Sequence, residues 1–360
     1  MIESYLRRFT EPAAPAFYRY PQPPYPTGWF RIADSADLGR GKTLAVRYFG
    51  RDLVLFRTES GEARVADAHC PHLGAHVGIG GKVKGDCIEC PFHGWRFDRE
   101  GACVHVPLAR KVPARARLST WPVVERHGVI LVHHDPSGAP PAWHMPPLPE
   151  TNDPSWTPLR PVKRWKIRAH VQEILENGFD NAHFTHLHSQ QTEKMRTEAV
   201  DVDGPTITHR TWQTYQLFQL AKLRLPEVAG PLDVIGHGLG IIVNRATVHA
   251  DVELCYTYVF YATPIDETHL ELRSTLAMKR LPSRIATEIL WRKAASEGSH
   301  TIDQDVPIWE NKLYRTQPLL SDADGAIMQY RRWARQFYPS PGTHERGSTA
   351  EQEIPPAARP

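Results

Sequence analysis

The sequence is poor in cysteine, poor in net charge and without a long apolar run. Its five cysteines (70, 87, 90, 103 and 255) are too few and odd in number for a disulfide framework, and four of them crowd into residues 70–103. A reducing compartment, the cytoplasm, is therefore expected. No stretch of about 18 apolar residues occurs, so no membrane-spanning helix is expected. The opening MIESYLRRFTEPAAPAFYRYPQPPYP lacks the apolar core and small-residue cleavage site of a secretory signal. Arg7, Arg8 and the aromatics beside them read as a proline-rich arm lying across a domain or a neighbouring subunit rather than as a membrane contact. A net charge of +3, with 23% charged residues, excludes a dedicated nucleic-acid binder. Glycines 236, 238 and 240 lack the strand–turn–helix setting of a dinucleotide loop and read as a hairpin turn, so no flavin or nicotinamide site is expected in the chain.

What the chain has in excess is proline, 32 residues concentrated at the N-terminus, between 136 and 161, and at the C-terminus. With 360 residues and 41% hydrophobic content, two domains follow. The division is an arm at 1–27, a first domain at 28–135, a linker at 136–161, a second domain at 162–339 and a disordered tail at 340–360. The first domain reads as short antiparallel strands at 29–34, 43–49, 51–58, 63–69 and 128–134, with hairpin turns at Gly50-Arg51-Asp52 and at 59–62. A strand at 162–170 leads into the second domain, where alternating segments between 200 and 280 predict another antiparallel sheet. Ser283 caps a helix whose apolar spacing is Ile285, Ile289, Trp291 and Ala295. A last helix is predicted from a Ser321 cap with Asp324 at the capping-box position.

Two stretches carry chemistry. In the first, Cys70 and His72 are separated by one residue, Cys90 and His93 by two, and seventeen residues (73–89) lie between the pairs. Two thiolates and two imidazoles allow either a zinc site or a [2Fe–2S] centre in which histidines replace two cysteines on one iron. A zinc finger pairs Cys with Cys and His with His. Here each Cys has its own His, and prolines and glycines place both pairs on loop tips. Cys87 forms a decoy C-x-x-C with Cys90 and reads as a packed strand residue, and His76 as a polar loop residue.

The second stretch is HVQEILENGFDNAHFTHLH (170–188). On a helix, Glu173, Asn177, Asp180 and His183 share a narrow polar stripe that ends in His183, His186 and His188, closely flanked by Phe179, Phe184 and Leu187. Such flanking suggests an inward-facing site. Two imidazoles with one carboxylate form the ligand set of non-heme iron(II) oxygenases, which leaves positions open for oxygen. The residues alone do not choose among the three histidines.

C-x-H…C-x-x-H, with Cys-Pro at both tips and His-Gly-Trp after the second, resembles the Rieske cluster motif. N-x-x-D-x-x-H-x-x-x-x-H, as Asn177, Asp180, His183 and His188, is similar to the mononuclear-iron motif of Rieske non-heme iron oxygenases. The resemblance implies an α+β chain: an antiparallel β Rieske domain, then a helix-grip-like catalytic domain of antiparallel sheet and helices. It implies cluster ligands Cys70, His72, Cys90 and His93, iron ligands His183 and His188, and Asp180 as the carboxylate bridging the two centres across a subunit boundary. A downstream aspartate completes the iron site. Asp305, in QDVPIW, fits that position better than Asp303, and His186 receives no role.

The cofactors implied are a [2Fe–2S] cluster, mononuclear Fe(II) and O2, with NAD(P)H acting only through a separate ferredoxin or flavin reductase. The expected assembly is a head-to-tail homotrimer in which electrons pass from His93 of one chain through Asp180 to His183 of the next. The segments WPVVERHGVILVHHDP and 305–338 resemble the steroid-acting branch of 3-ketosteroid 9α-hydroxylase oxygenase and cholesterol 7-desaturase. Hydroxylation or desaturation of a sterol, steroid or other polycyclic lipid is the expectation, with Trp212, Tyr215, Phe218 and Leu220 as apolar contacts. The alternatives are sterol demethylation, an aromatic-ring dioxygenase or O/N-demethylase, and an electron carrier with no second iron.

Overall fold

The computed structural model describes residues 19–188, 192–215, 219–220, 223–224, 228–249 and 253–339. The proposed tail, and all of the arm before residue 19, lie outside them. Antiparallel sheets dominate, with four α-helices among the described residues: α1 (Val171–Asn177), α2 (Asn181–His186), α3 (Arg284–Asn311) and α4 (Ile327–Ala334). The α+β expectation holds.

The N-terminal half contains three small antiparallel sheets. Its organising strand is Arg51–Arg57, in which Leu53 to Phe56 are all buried. Because successive side chains point to opposite faces, this strand divides two cores. Leu53 and Leu55 pack with Phe30, Ile32, Ile130 and Val132. Val54 and Phe56 pack with Cys70, Val77, Ile88 and Cys90, beneath the two Cys-His loops. The turn entering the strand is Phe49-Gly50, both at positive φ (55° and 68°), and not Gly50-Arg51-Asp52. Left-handed backbone disfavours a large side chain; Phe49 holds it by stacking on His134, with ring centroids 4.8 Å apart.

The C-terminal half is a seven-stranded antiparallel sheet. Its spatial order is Arg160–Ile167, Leu270–Met278, Leu254–Pro264, Ile241–Val248, Val228–His237, Thr206–Tyr215 and Thr192–Asp203. Period-two alternation again serves two purposes. Ile241, Val243, Val259 and Tyr261 face one way, onto Trp29 and Leu131 of the N-terminal half and onto Met145 and Leu148 of the proline-dense segment. Ile242, Tyr258 and Phe260 face the other way, toward α3 and α4. The 136–161 segment is thus packed against the sheet rather than free, and its buried Glu150 accepts from Thr257 at 3.0 Å and pairs with Arg245. The hairpin read at 236–240 is present as the turn between His237 and Ile241.

The 170–188 stretch departs from a single helix. α1 ends at Asn177, and α2 starts after Asp180, whose carboxylate caps it by accepting from the Ala182 and His183 amides at 3.0 and 3.2 Å. The break brings backbone and sheet together: a Cβ on Gly178 would lie 2.5 Å from Val234 Cγ1. Helix α3, 28 residues and about 42 Å long at 1.5 Å per residue, is capped by Ser283 as expected, at 3.2 Å from the Ala286 amide. Half of its apolar spacing holds: Ala295 is buried and Trp291 packs against the core, whereas Ile285 and Ile289 are exposed (74% and 60%). The face turned to the protein also carries Thr287, Asp305 and Trp309. Ser321 and Asp324 bond each other, but they close a turn ahead of Gly325 (φ +68°). The helix α4 begins only at Ile327, without a side-chain cap.

Residues 19–23 tie the ends of these helices together. The last turn of α3 has no basic residue of its own. The Arg19 guanidinium supplies the charge, donating to the Trp309 carbonyl and to those of Lys312 (3.1 Å) and Arg168 (2.8 Å). Tyr20 stacks on His170, the N-cap of α1, with ring centroids 3.9 Å apart. α1 is locked to α4 by a buried bidentate pair, Glu176–Arg331, at 2.7 and 2.8 Å. Removing one member of such a pair strands the other charge, at a cost of about 3–5 kcal/mol. Arg331→Met is therefore expected to lower the denaturation midpoint of the C-terminal half strongly. The double variant Glu176→Leu/Arg331→Met, which leaves no orphan charge, is expected to recover much of the loss.

Candidate metal centres and active site

The two Cys-His loops are built alike. The Cys70 amide donates to the Ala75 carbonyl and the Gly74 amide to the Cys70 carbonyl, both at 2.9 Å. The second loop repeats this with Cys90 to Trp95 (2.8 Å) and Gly94 to Cys90 (3.1 Å). Gly74 and Gly94 take positive φ (75° and 67°) at the equivalent position. Both cysteines are buried, whereas His72 and His93 are exposed, with their ring centroids 4.6 Å apart. Trp95 stacks on His72 at 4.5 Å and 8° between planes. Two thiols inside and two imidazoles outside is the donor arrangement that a cluster with one thiolate-bound and one imidazole-bound iron requires. Burial first, and the neighbouring Cys90, push the Cys70 thiol up to about 11, so it ionises only against a compensating cation. His76 turns its Nδ1 to the Gly78 amide at 3.1 Å, and Cys87 sits on the strand Cys87–Glu89 beside the buried Ile88.

In the C-terminal half, His183, His188 and Asp305 bring one donor atom each to within 4.8 Å of one another. His183 rides on α2, His188 follows it, and Asp305 comes from α3. The His183 Nδ1 lies 2.7 Å from the Asp180 main-chain carbonyl, and the His188 Nδ1 lies 3.0 Å from Gln304 Oε1. Both partners only accept, so each ring carries its proton on Nδ1 and offers a bare Nε2. The His188 Nε2 is buried without a hydrogen-bond partner, although Asp305 Oδ1 is 3.2 Å away. An imidazole nitrogen and a carboxylate oxygen this close suit two ligands of one cation. Burial lowers the His183 pKa, opposed by the Asp305 and Asp180 carboxylates. Burial also acts on His188, but Asp305 outweighs it and leaves that imidazole above its ordinary value.

His186 is exposed and outside this group. Asp303 is also outside, turned to Lys163 (2.6 Å) and the Trp165 indole (2.7 Å). Asn177 accepts from the Trp309 indole at 3.3 Å. Asp180 keeps Oδ2 at 3.9 Å from His183 Nδ1, with 29% of its side chain exposed.

The triad lines a cavity of about 510 Å3 between the sheet and α3. Its walls are mostly apolar, with Val234, Ile242, Phe260 and Met278 from the sheet and Leu290 and Ile302 from α3. The expected contact Trp212 does not line it. Alternation turns Trp212 away and Gln213 inward, and Trp212 stacks on His249 instead. Phe218 lies outside the described residues, as do the side chains of Tyr215 and Leu220. The wall aromatics from the sheet are Tyr256, Tyr258 and Phe260, in a strand whose alternation was visible but whose inward face was not; Phe184 and Trp309 add two more from the helices. Sequence reasoning also missed Gln304 and Asn244. The Asn244 Oδ1 is buried without a partner among the described residues; Asn244 lines the cavity and lies across the sheet from Val234 and Tyr258.

Residues 28–122 match the Rieske [2Fe-2S] domain, and residues 132–338 match the 3-ketosteroid 9alpha-hydroxylase C-terminal domain. The chain is 34% identical over 337 residues to cholesterol 7-desaturase nvd 1 of Ciona intestinalis, covering 88% of this chain and 69% of that protein. It is 32% identical over 325 residues to a probable 3-ketosteroid-9-alpha-monooxygenase oxygenase component of Rhodococcus rhodochrous, covering 87% and 80%. Among solved structures, dicamba monooxygenase bound to dicamba superposes with a TM-score of 0.69 at 20% identity, covering 86% of this chain and 96% of that one. NdmA of Pseudomonas putida CBB5 with theobromine gives 0.67 at 19%, covering 85% and 89%; both are likenesses of fold. The chain thus belongs to the Rieske non-heme iron oxygenases, as an oxygenase component with a [2Fe–2S] cluster, a mononuclear iron and O2 as co-substrate, related to the sterol 7-desaturases and 3-ketosteroid 9α-hydroxylases.

Proposed function

We propose that this oxygenase hydroxylates or desaturates a sterol, a steroid or another bulky polycyclic lipid, with Cys70, His72, Cys90 and His93 holding the cluster and His183, His188 and Asp305 holding the iron. The observation that carries the substrate class is the cavity. Its volume of about 510 Å3 falls within the roughly 300–1,000 Å3 of small-molecule sites, its walls are chiefly apolar, and His183, His188 and Asp305 are among its lining residues. The relatives named for cholesterol and 3-ketosteroids point the same way. Iron at the triad supplies dioxygen activation, and the cluster supplies electrons one at a time. The apolar walls exclude water and hold the substrate's rings, while the unpartnered Asn244 Oδ1 would accept from a substrate hydroxyl. An unmet buried polar atom costs about 1–3 kcal/mol, which that hydroxyl would recover.

Electrons are proposed to arrive from a ferredoxin or flavin reductase that is a separate protein, and to cross between subunits of a head-to-tail trimer. In a heterologous ring each chain presents one surface to the next, which fits exposed His72 and His93 in one half and half-exposed Asp180 in the other. His93 of one chain would then face Asp180 of the next, whose main-chain carbonyl already holds His183.

Asparagine caps helices as well as aspartate does, so Asp180→Asn is expected to keep the fold, the cluster and the iron while losing substrate-coupled oxygen uptake. Normal turnover by that variant would remove Asp180 from the electron path. With a surrogate reductase and a steroid panel, wild-type protein is expected to give an oxidised product; absence of product and of substrate-coupled oxygen uptake across the panel would overturn the steroid reading. Asn244→Leu is expected to raise KM roughly five-fold, about 1 kcal/mol, for a hydroxylated steroid and to leave the analogue without the hydroxyl unchanged.

A further inference from the structure

The two imidazoles of the triad are oriented by different means. His183 relies on a main-chain carbonyl, which any residue at position 180 would provide. His188 relies on a side chain, Gln304, at 3.0 Å from its Nδ1. From this asymmetry we infer that Gln304 is a positioning residue for the iron site: it fixes the tautomer and the roll of His188, so that the His188 Nε2 faces the point shared with His183 and Asp305. The inference rests on the reading of that triad as the iron site.

Three consecutive side chains on α3 point in three directions around this turn. Asp303 goes to Lys163 and Trp165 on the edge strand, Gln304 to His188, and Asp305 into the cavity. A rise of about 100° per residue makes that spread the natural one. Together the three contacts set the rotation of α3 about its own axis. They do so where the helix needs help, because Pro307 has no amide with which to bond the Asp303 carbonyl four residues back. Gln304 is also a direct tie between α3 and the segment that carries His188, so one side chain governs both the orientation of a ligand and the approach of its helix to Asp305. Its amide is neutral, as is the carbonyl behind His183, leaving Asp305 as the one carboxylate among the three converging donors.

The test is iron binding by the full-length protein, freed of mononuclear iron and titrated anaerobically with Fe(II), with the visible absorption of the cluster as internal reference. Loss of an outer hydrogen-bond partner of a metal-bound histidine typically costs 10–100-fold in affinity. Gln304→Leu is expected to bind Fe(II) about 10–100-fold more weakly with the cluster absorption unchanged. Gln304→Glu, which restores an acceptor of the same reach, is expected to bind at least as tightly as wild type. Wild-type affinity in Gln304→Leu, or equal losses in both variants, would overturn the positioning role. A wild-type protein that takes up no iron at the triad would instead overturn the reading on which the inference rests.

Discussion

The proposed chemistry depends on the convergence of three donors that the chain delivers from two places. His183 and His188 come on one short helix and the residue pair following it; Asp305 arrives on a helix more than a hundred residues later. Each imidazole is useful only if its proton sits on Nδ1, and in each ring an acceptor-only oxygen puts it there. The rest of the catalytic half serves to hold α2 and α3 at that separation. Arg19 closes the end of α3, Tyr20 and His170 set the start of α1, and the Glu176–Arg331 pair fixes α1 against α4. The N-terminal segment thus contributes to a site formed far from it in sequence.

The seven-stranded sheet joins the two halves through its alternation. One face is committed to the N-terminal half and the proline-dense segment, the other to the cavity, and a slip of one residue in register would exchange them. Where both faces are covered, no face is spare for solvent, which explains the consecutive apolar residues 241–243 and 258–262 in the two central strands. It also accounts for Asn244. A polar residue at an inward position of such a strand is costly unless something in the cavity meets it, and within the described residues nothing meets the Asn244 Oδ1.

The parts legible in sequence were those whose chemistry is local. Cys70, His72, Cys90 and His93 lie within two loops, and Ser283 caps the helix that follows it. The spacing of His183 and His188 was visible, but three histidines were equally eligible until the family pattern separated them, and Asp305 over Asp303 came from the same resemblance. What escaped depends on tertiary context. The break at Gly178 answers to Val234 on a distant strand, and the exposure of Ile285 and Ile289 to where the sheet lies. Trp212 looked like a pocket aromatic by type; only register shows that Gln213 is the inward residue. Gln304 is indistinguishable from a surface glutamine until His188 is folded against it.

The most direct measurement of the central claim is the iron and inorganic sulfide content of the purified protein, per chain. An oxygenase with a Rieske cluster and a filled His183–His188–Asp305 site contains three irons and two sulfides, and Asp305→Ala lowers the iron to two without touching the sulfide. Two irons and two sulfides in fully reconstituted wild-type protein, unchanged by Asp305→Ala, would contradict the account and leave the chain an electron carrier.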